Sequence, residues 1–353
     1  MLRLPEFQLV SAQTLADATA VLASEGAAEG RTVRLVAGGT DLWPNMKRRH
    51  QKATTVVSLM GIPELRGIRN GGNAGDAGEL AIGATTLLDD LARDQRLRAR
   101  YPALATAVDS ISSPPLRNMG TIGGNVCVDT RCTYYNQTED WRRAIDYCLK
   151  EDGTTCWVAP GSPKCLAHSA SDSAPVLCAL DARVKLVSAA GDRTVPVAGL
   201  FRNDGIDYLG KRPDEILTEI LLPAGSDAGH CRAAFWKLRR RGSIDFAVLS
   251  AAAAVWTGAG GTVTAARIYL GAVASQPQPA TAAADSLLGR PLTAESIAHA
   301  AKLARQAATP MDNTDFQAQW RSVMVEKYTA AALREVAGLD PGLSAPKHPL
   351  PGL

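Results

Sequence analysis

Four cysteines within one polar stretch are the residues of this sequence best suited to chemistry. Cys132, Cys148, Cys156 and Cys165 follow the spacing C-x15-C-x7-C-x8-C inside residues 130–168, the cysteine segment. This segment has little apolar periodicity, and a stretch of its length inside a compact domain needs an added reason to be ordered. Thiolate ligation of a metal centre would supply that reason, because the free energy of ligation then contributes to folding.

The spacing of the cysteines leaves three interpretations open. A 4Fe-4S cluster needs four thiolates around a cuboid, so widely spaced ligands suit it. A structural zinc ion also takes four ligands, but its sites usually contain close C-x2-C or C-x4-C pairs, which these four cysteines do not form. The third interpretation is a set of free, buried thiols. Disulfides conflict with the reducing compartment that the rest of the sequence indicates.

Other residues near the cysteine segment have weaker claims to a role. Five basic residues would either offset the negative charge of a thiolate cluster or form a solvated face. They are Arg131, Arg142, Arg143, Lys150 and Lys164. We expect Cys127 and Cys178 to be core residues, with Cys127 a minor candidate ligand, and Cys231 to begin a strand. Among the histidines only His168 lies close enough along the chain to be considered as a ligand.

Glycine-bearing loops are the second chemical feature. A strand predicted at 32–36 runs into Ala37-Gly38-Gly39-Thr40-Asp41, and a later loop reads Gly120-Thr121-Ile122-Gly123-Gly124-Asn125. Glycines let backbone amides approach an anion, and a following helix adds the positive end of its dipole. Because residues 79–86 repeat the strand, glycine and hydroxyl pattern, we predict that three loops converge on one pyrophosphate. The alternative is a set of ordinary tight turns.

Size and composition describe an ordinary globular protein. The chain has 353 residues, 46% of them hydrophobic, and a net charge of +3. The length predicts two or three domains, and the small charge argues against binding to nucleic acid or to an anionic membrane. No apolar run reaches the length of a signal peptide or a membrane span. We therefore expect a cytoplasmic protein.

The elements that must position these residues fall into two groups. In the first half we predict a helix at 12–25 with Thr14 as its N-cap, strands at 54–59 and 79–84, and a helix at 98–111. Ser171-Asp172-Ser173-Ala174-Pro175 should cap a helix that runs to Leu180, before a hairpin at 183–197 and a strand at 215–222.

The second half reads as strands followed by helices. After a linker at 225–229 come strands at 232–239, 246–256 and 264–273, then helices at 281–288, 294–307 and 314–336. This order predicts a small α+β domain whose sheet is covered on one face. Residues 71–78 should form a glycine-rich surface loop, and the proline-containing tail at 338–353 should be extended.

Three of these motifs, in their order and separation, resemble the FAD-binding medium subunit of the molybdenum hydroxylases. They are Ala37 to Asp41, Gly120 to Asn125 and Ser171-Asp172-x-Ala174-Pro175. The resemblance, to the family of xanthine dehydrogenase and aerobic carbon monoxide dehydrogenase, covers about residues 5–336 by element order. It implies an α+β fold: a two-part, PCMH-type FAD-binding domain at 1–225, divided near 60, and a small α+β domain at 226–337 with a three-stranded sheet and helices.

The cysteine segment has a narrower resemblance. Asp129 to Gln137, Tyr147-Cys148-Leu149-Lys150 and the two later cysteines resemble an insertion in the β subunits of the 4-hydroxybenzoyl-CoA reductases. Most members of the wider family lack this insertion. The resemblance implies a 4Fe-4S cluster, bound at 130–168 by Cys132, Cys148, Cys156 and Cys165.

The wider resemblance also implies which residues contact FAD. The loops from Gly38 to Asp41 and from Thr121 to Asn125 would hold the pyrophosphate, with Asp172 nearby. Lys237, Arg241 and Asp245, in the pattern Lys-x3-Arg-x3-Asp, would lie at the flavin edge, although alone they read as an exposed charged strand end. The complete predicted set is Ala37, Gly38, Gly39, Thr40, Asp41, Thr121, Gly123, Gly124, Asn125, Asp172, Lys237 and Arg241.

The family further implies partner chains and a role. A large molybdopterin subunit and a small subunit with 2Fe-2S clusters would join this chain in a heterohexamer of three chain types. This chain, with no catalytic residue of its own, would transfer electrons only. We predict that electrons run from a ferredoxin-like carrier through 4Fe-4S and FAD to the 2Fe-2S and molybdenum centres, for reductive dehydroxylation of an aromatic CoA thioester. The cluster favours this direction because it can accept single electrons from the external carrier.

Two alternatives remain open from the sequence. One is the medium subunit of an aromatic or heterocycle hydroxylase or dehydrogenase of the same family, which would send electrons outward. The other, from a different class, is a binding module in which a structural zinc ion holds the cysteine segment together and has no redox role.

Overall fold

The chain folds around three β-sheets. The computed structural model describes residues 2–26, 28–70, 78–224 and 231–343. Residues 71–77 of the predicted glycine-rich loop, the predicted linker at 225–229 and most of the predicted tail lie outside these ranges. Within the described part of the chain, no helix is both long and apolar enough to cross a membrane.

The first sheet is parallel and three-stranded, in the order β1-β3-β2. Its elements are β1 (Gln8–Ser11), α1 (Leu15–Glu25), β2 (Val33–Val36), α2 (Leu42–Lys47) and β3 (Thr55–Ser58). The predicted cap of α1 is confirmed: Thr14 Oγ1 accepts from the backbone N–H of Asp17, while an Asp17 carboxylate oxygen accepts from the backbone N–H of Thr14. This capping box satisfies N–H groups that the first helical turn leaves free.

The second sheet is antiparallel and five-stranded, in the order β4-β5-β8-β6-β7. Its strands are β4 (Ile68–Asn70), β5 (Leu80–Gly83), β6 (Arg183–Ser188), β7 (Gly191–Pro196) and β8 (Ile216–Leu222). Between β5 and β6 the chain forms α3 (Leu88–Arg93), α4 (Gln95–Arg100), α5 (Pro102–Asp109), α6 (Pro114–Arg117), α7 (Ile122–Val126), α8 (Glu139–Ala144) and α9 (Ser173–Ala179). Short 3₁₀ turns lie at Pro63–Leu65, Val197–Leu200 and Ala259–Gly261.

The single helix predicted at 98–111 is wrong, because the structure has two helices that meet at Tyr101. Tyr101 precedes Pro102, and its backbone angles of φ −135° and ψ 58° are not helical. The proline ring disfavours helical angles at the residue before it, while it suits the first turn of the next helix.

The third sheet is antiparallel, in the order β12-β11-β10-β9. Three long strands, β9 (Cys231–Leu238), β10 (Leu249–Thr257) and β11 (Val263–Gly271), carry a two-residue edge strand, β12 (Gln278–Pro279). The helices α10 (Thr281–Asp285), α11 (Ala294–Ala307) and α12 (Ala318–Val336) follow. The predicted order of strands and then helices is therefore confirmed.

The third sheet is buried on both faces, which corrects the expectation of one covered face. On β10, Ala251 and Ala253 pack into the core shared with α11 and α12, whereas Ala252 and Ala254 belong to the core of the second sheet. The four alanines at 251–254 allow α9 to pack against β10 from the side opposite α12. This packing joins the two halves of the chain and brings Lys237 of β9 close to α9.

Candidate functional site

The first two glycine loops cross at Gly38. A Cβ atom at this position would lie 1.6 Å from the carbonyl oxygen of Met119, so any side chain would push the two backbones apart. The neighbouring Gly39 has φ +68°, and a Cβ there would lie 1.9 Å from Trp43 Nε1. Glycine is required at both positions, at Gly38 for close backbone approach and at Gly39 also for the left-handed conformation.

The third loop joins them through α7. The N–H of Gly123 donates to the carbonyl of Ala84 at 2.9 Å, and the N–H of Ile122 donates to that of Thr86 at 3.1 Å. A Cβ atom on Gly123 would lie 2.7 Å from that of Ala84. The three glycine-bearing loops therefore lie together, and their binding of one pyrophosphate stays a prediction.

Polar side chains hold these loops in shape. Thr121 caps α7, because its Oγ1 accepts from the N–H of Gly124 at 3.2 Å. Asp41 Oδ2 accepts from Asn45 Nδ2 at 2.9 Å, and Asp41 Oδ1 pairs with the guanidinium of Arg131. Burial raises the pKa of Asp41, and Arg131 opposes that rise. Ala37 and Thr40 are half-buried on the same loop.

Asn125 ties the second loop to the start of α9. Its Oδ1 accepts from Ser171 Oγ at 3.0 Å and from Ser173 Oγ at 2.6 Å. Between these serines, Asp172 points to β9, where its Oδ2 accepts from Lys237 Nζ at 2.6 Å. Lys237 also donates to the carbonyl of Ser110 at 3.0 Å. The structure therefore brings Asn125, Asp172 and Lys237 into one connected network.

The pair of Asp172 and Lys237 is deeply buried, with both side chains 4% exposed. Burial raises the pKa of Asp172 and lowers that of Lys237, while their mutual attraction opposes both changes. Asp172 Oδ1 is buried and finds no hydrogen-bond partner among the described residues. Such an atom costs about 1–3 kcal/mol if it stays unsatisfied.

Arg241 and Asp245 lie apart from this network. Arg241 is exposed and forms an ion pair with Asp245, and both line a cavity of about 350 Å³, the arginine-lined cavity. Its other walls come from the cysteine segment, through Arg131, Cys132 and His168, and from the loop before α12, through Asn313.

The four cysteines of the segment line one small cavity of their own, the four-cysteine cavity. Each of the four residues is at most 8% exposed. The backbone N–H of Ala167 donates to Cys165 Sγ at 3.4 Å. Burial raises the pKa of Cys132 to about 11 and that of Cys165 to about 12. Without a bound cation, the thiols of Cys132 and Cys165 stay protonated at neutral pH.

The three other thiols and His168 are placed as packing residues. All seven cysteines are free; Cys178 is in the main core, Cys127 packs against it, and Cys231 begins β9. His168 is buried, with Nδ1 3.0 Å from the carbonyl of Ser169 and a pKa lowered by burial to about 4. Across the described residues, no group of three or more His, Cys, Asp or Glu side chains is placed to hold a single metal ion.

Protein contacts alone give the cysteine segment much of its order, which the sequence did not predict. The backbones of Arg131 and His168 exchange two 2.8 Å hydrogen bonds and close the segment at its base. Arg142 is 1% exposed, and its Nη2 donates to the carbonyl of Arg48 at 2.7 Å. Lys150 Nζ reaches Asp129 Oδ1 at 2.7 Å and the carbonyl of Gly205 at 2.6 Å. The side chains of Arg131, Arg142 and Lys150 are buried, whereas that of Arg143 is exposed to solvent.

The sequence reasoning missed the roles of two residues that line the arginine-lined cavity and contact distant parts of the chain. Arg131 was considered only as a charge near the cysteines, yet it pairs with Asp41 of the first glycine loop. Asn313 joins the C-terminal domain to the cysteine segment. Its backbone carbonyl accepts from the N–H of Thr133 at 2.9 Å, and its side-chain Nδ2 donates to the carbonyl of Leu166 at 2.7 Å. No local pattern marks either residue, because their partners lie far away in the chain.

Comparisons with known proteins identify the family. Residues 5–225 match the model of the FAD binding domain in molybdopterin dehydrogenase, and residues 233–336 match the CO dehydrogenase flavoprotein C-terminal domain. The first match alone covers more than half of the chain. The chain belongs to the FAD-binding subunits of the molybdenum hydroxylase family. It is a subunit of a molybdenum-containing oxidoreductase, and the predicted PCMH-type domain followed by a small α+β domain is confirmed.

Relatives of this FAD-binding subunit align over nearly its whole length. The carbon monoxide dehydrogenase medium chain of Hydrogenophaga pseudoflava is 29% identical over 93% of this chain and 96% of its own. The xanthine dehydrogenase FAD-binding subunit of Escherichia coli O157:H7 is 25% identical over 94% of this chain and 96% of its own. The solved carbon monoxide dehydrogenase from H. pseudoflava superimposes with a TM-score of 0.77 at 28% identity, over 95% of this chain and 99% of that one.

The residues present in this FAD-binding subunit fit FAD. At the start of α7, Gly124 is exposed and a Cβ there would meet only Thr121 Oγ1, at 3.0 Å, so this loop presents open backbone, as close approach of a pyrophosphate requires. The unsatisfied Asp172 Oδ1 lies in the network that begins at Asn125 on the second loop, so it offers an acceptor to a ligand that reaches beyond the loops.

Proposed function

We propose that this FAD-binding subunit relays electrons through a 4Fe-4S cluster held by Cys132, Cys148, Cys156 and Cys165. The observation that carries the proposal is the gathering of these four side chains around one buried cavity, although they are spread along the sequence. When bound, the cluster supplies one-electron transfer, and FAD supplies both one-electron and two-electron transfer.

The environment of the four sulfurs supports a cluster more than a single zinc ion. The backbone N–H of Ala167 donates to Cys165 Sγ at 3.4 Å, and hydrogen bonds to sulfur stabilise thiolate ligands and tune a cluster's potential. The four cysteines also form no close C-x2-C or C-x4-C pair of the kind usual in structural zinc sites. Lys150, buried beside the cavity, adds a positive charge close to the thiolates.

The residues proposed to hold FAD are those that the structure connects. Gly38, Gly39, Thr121, Gly123 and Gly124 shape the crossing loops at the pyrophosphate. Ala37, Thr40, Asp41 and Asn125 complete the two loops. Asp172 and Lys237 supply a buried acceptor and a cation beyond them, while Arg241 with Asp245 borders the arginine-lined cavity.

Cys132 gives the relay a physical basis, because it lines both cavities. One wall of the four-cysteine cavity is thus also a wall of the space that Arg241 and Asp245 border. A short covalent path from a sulfur ligand to that space favours electron exchange between the two.

The partners proposed for this subunit follow from its family. We propose a complex with a large molybdopterin subunit and a small 2Fe-2S subunit, in a heterohexamer of three chain types, located in the cytoplasm. A ferredoxin-like protein would be the external carrier, because a one-electron cluster suits a one-electron donor.

Two substrate classes fit this role. The narrow resemblance of the cysteine segment favours reductive dehydroxylation of an aromatic CoA thioester, of the 4-hydroxybenzoyl-CoA reductase type. The named relatives, a carbon monoxide dehydrogenase and a xanthine dehydrogenase, favour at least equally a hydroxylase or dehydrogenase that sends electrons outward. Assays of the whole complex with 4-hydroxybenzoyl-CoA and reduced ferredoxin, against aromatic or heterocyclic substrates and an electron acceptor, separate the two.

The relay is tested by the rate at which a reduced one-electron dye reduces FAD. Cys156→Ser removes a proposed ligand, and Cys231→Ser is the matched control, a half-buried thiol outside the cysteine segment. We expect the rate to fall at least tenfold in Cys156→Ser only, about the effect of 1.4 kcal/mol on the barrier. Equal rates in the three proteins, at equal FAD content, would refute the relay.

A further inference from the structure

The arginine-lined cavity contains two polar atoms without partners. Arg131 is 5% exposed and Asn313 is 4% exposed, and both line the cavity. Arg131 Nη2 pairs with Asp41, but Nη1 finds no hydrogen-bond partner among the described residues. Asn313 Nδ2 donates to Leu166, but Oδ1 likewise finds no partner there. Two residues of the cavity wall therefore carry one buried charged donor and one buried neutral acceptor that no described residue uses.

Unsatisfied groups of this kind indicate a ligand with complementary atoms. Each costs about 1–3 kcal/mol when buried without a partner. A guanidinium can only donate, and an amide oxygen can only accept, so the ligand must present an acceptor and a donor. The guanidinium of Arg131 also lies 4.9 Å from the ring centroid of Phe246, a flat and partly apolar wall that suits a planar ring.

The pyrimidine edge of an isoalloxazine has the required pattern, a C2 carbonyl next to an N3–H group. The position agrees as well, because Arg131 contacts Asp41 of a pyrophosphate loop and because Arg241 and Asp245 border the same cavity. We propose that Arg131 donates to the flavin C2 carbonyl and Asn313 accepts from the flavin N3–H, so that the cysteine segment forms one wall of the flavin-ring pocket.

This inference rests on FAD binding by the subunit and goes beyond it. Arg131 belongs to the cysteine segment and immediately precedes Cys132, so the segment would fix the flavin ring as well as the cysteines. A cation at the C2 carbonyl stabilises the negative charge of reduced FAD. Arg131 therefore raises the flavin potential, and its loss shifts that potential to more negative values.

The test uses the full chain reconstituted with FAD that carries ¹³C at C2 and ¹⁵N at N3. In the wild-type protein we expect the C2 carbonyl stretch to lie below that of free FAD and the N3 resonance to show a hydrogen-bonded N–H. Arg131→Gln should return the C2 signal toward the free value and weaken FAD binding about tenfold. Asn313→Leu should change only the N3 signal. Arg143→Gln, an exposed arginine of the same segment, is the matched control and should change neither.

The outcomes separate this inference from FAD binding itself. A wild-type protein that binds FAD with free-like C2 and N3 signals would overturn the inference alone, whether or not the variants fold. A wild-type chain that binds no FAD would overturn both. A nicotinamide carboxamide also presents an acceptor and a donor. If Arg131→Gln leaves the labelled signals unchanged but slows FAD reduction by NADH, the cavity belongs to that second ring and the inference is wrong.

Discussion

At Gly123, the addition of a single Cβ atom would force α7 away from the loop at Ala84. A Cβ there would lie 2.7 Å from the Cβ of Ala84 and 2.8 Å from its carbonyl oxygen. Gly123→Val should push α7 away from the 84–86 turn and reduce the FAD content of the purified protein at least about tenfold, since overpacking costs about 1–3 kcal/mol. FAD is measured after denaturation, by absorbance per chain.

The control for this change is Gly199→Val, because a Cβ at Gly199 meets nothing within 4 Å. It should retain the FAD content of the wild type. A full complement of FAD in Gly123→Val would show that the contact between α7 and Ala84 does not shape the flavin site.

Cys148 tests the proposed ligand set. Its side chain lines the four-cysteine cavity and does not line the arginine-lined cavity. Cys148→Ser should therefore lose the iron and the visible absorption of a cluster but keep FAD, because the three glycine loops lie outside the cysteine segment. Cys231→Ser should keep both. A Cys148→Ser protein that loses FAD and retains its iron would contradict the assignment.

Whether a charged residue is buried could not be predicted from the sequence. Arg142 and Arg143 are neighbours in a polar stretch, yet one is 1% exposed and the other solvated. The difference arises because Arg142 reaches the carbonyl of Arg48, 94 positions away. The glycines of the loops were predictable, because their conformational freedom is a local property.

At the scale of elements, Glu215 links two strands of the second sheet. It precedes β8, and both of its carboxylate oxygens accept from Arg193 on β7, at 2.6 and 2.9 Å. Hydrogen bonding to Arg193 lowers the pKa of Glu215 from 4.5 to about 2. Because the pKa of Glu215 is lower in the folded protein, its ionised carboxylate stabilises the fold, fully so above pH 4.5. This contribution is lost as the pH falls through about 2.

Glu215→Gln should therefore destabilise the protein at neutral pH and matter less in acid. Arg193 is 38% exposed, so water screens part of the attraction, and we expect a loss of roughly 1 kcal/mol. The difference in thermal midpoint between Glu215→Gln and the wild type should shrink as the pH falls from about 5 to about 2. Asp192→Asn, which breaks an exposed pair on β7, should show little effect at any pH. A constant difference for Glu215→Gln would exclude this linkage.

Elements with strong local signals were predicted well. The helix α11, at Ala294–Ala307, lies where the sequence placed it, and the three long strands of the third sheet lie within a few residues of their predicted positions. The break at Tyr101 was missed although Pro102 signals it. The order of the cysteine segment was not predictable, because it comes from contacts such as that of Tyr135 Oη with the carbonyl of His50 at 2.9 Å.

At the scale of the whole molecule, the cysteine segment lies between the other parts of the chain. It contacts residues 48–51 after α2, the turn at Gly205 and the loop at Asn313. The motif order predicted the family and the two-part fold, since both rest on local patterns in sequence. Which residues face each other across the cavities could not be predicted, because that depends on how the third sheet packs against α9.

The electron relay proposed for this subunit depends on a four-iron cluster beside FAD. The most direct measurement is anaerobic purification of the full chain, followed by quantification of iron, acid-labile sulfide, zinc and FAD and by low-temperature EPR spectroscopy after reduction. The account predicts about four iron and about four sulfide ions per FAD, with the EPR signal of a reduced cluster. One zinc ion without iron, or four freely titrating thiols in a protein that binds FAD, would contradict it.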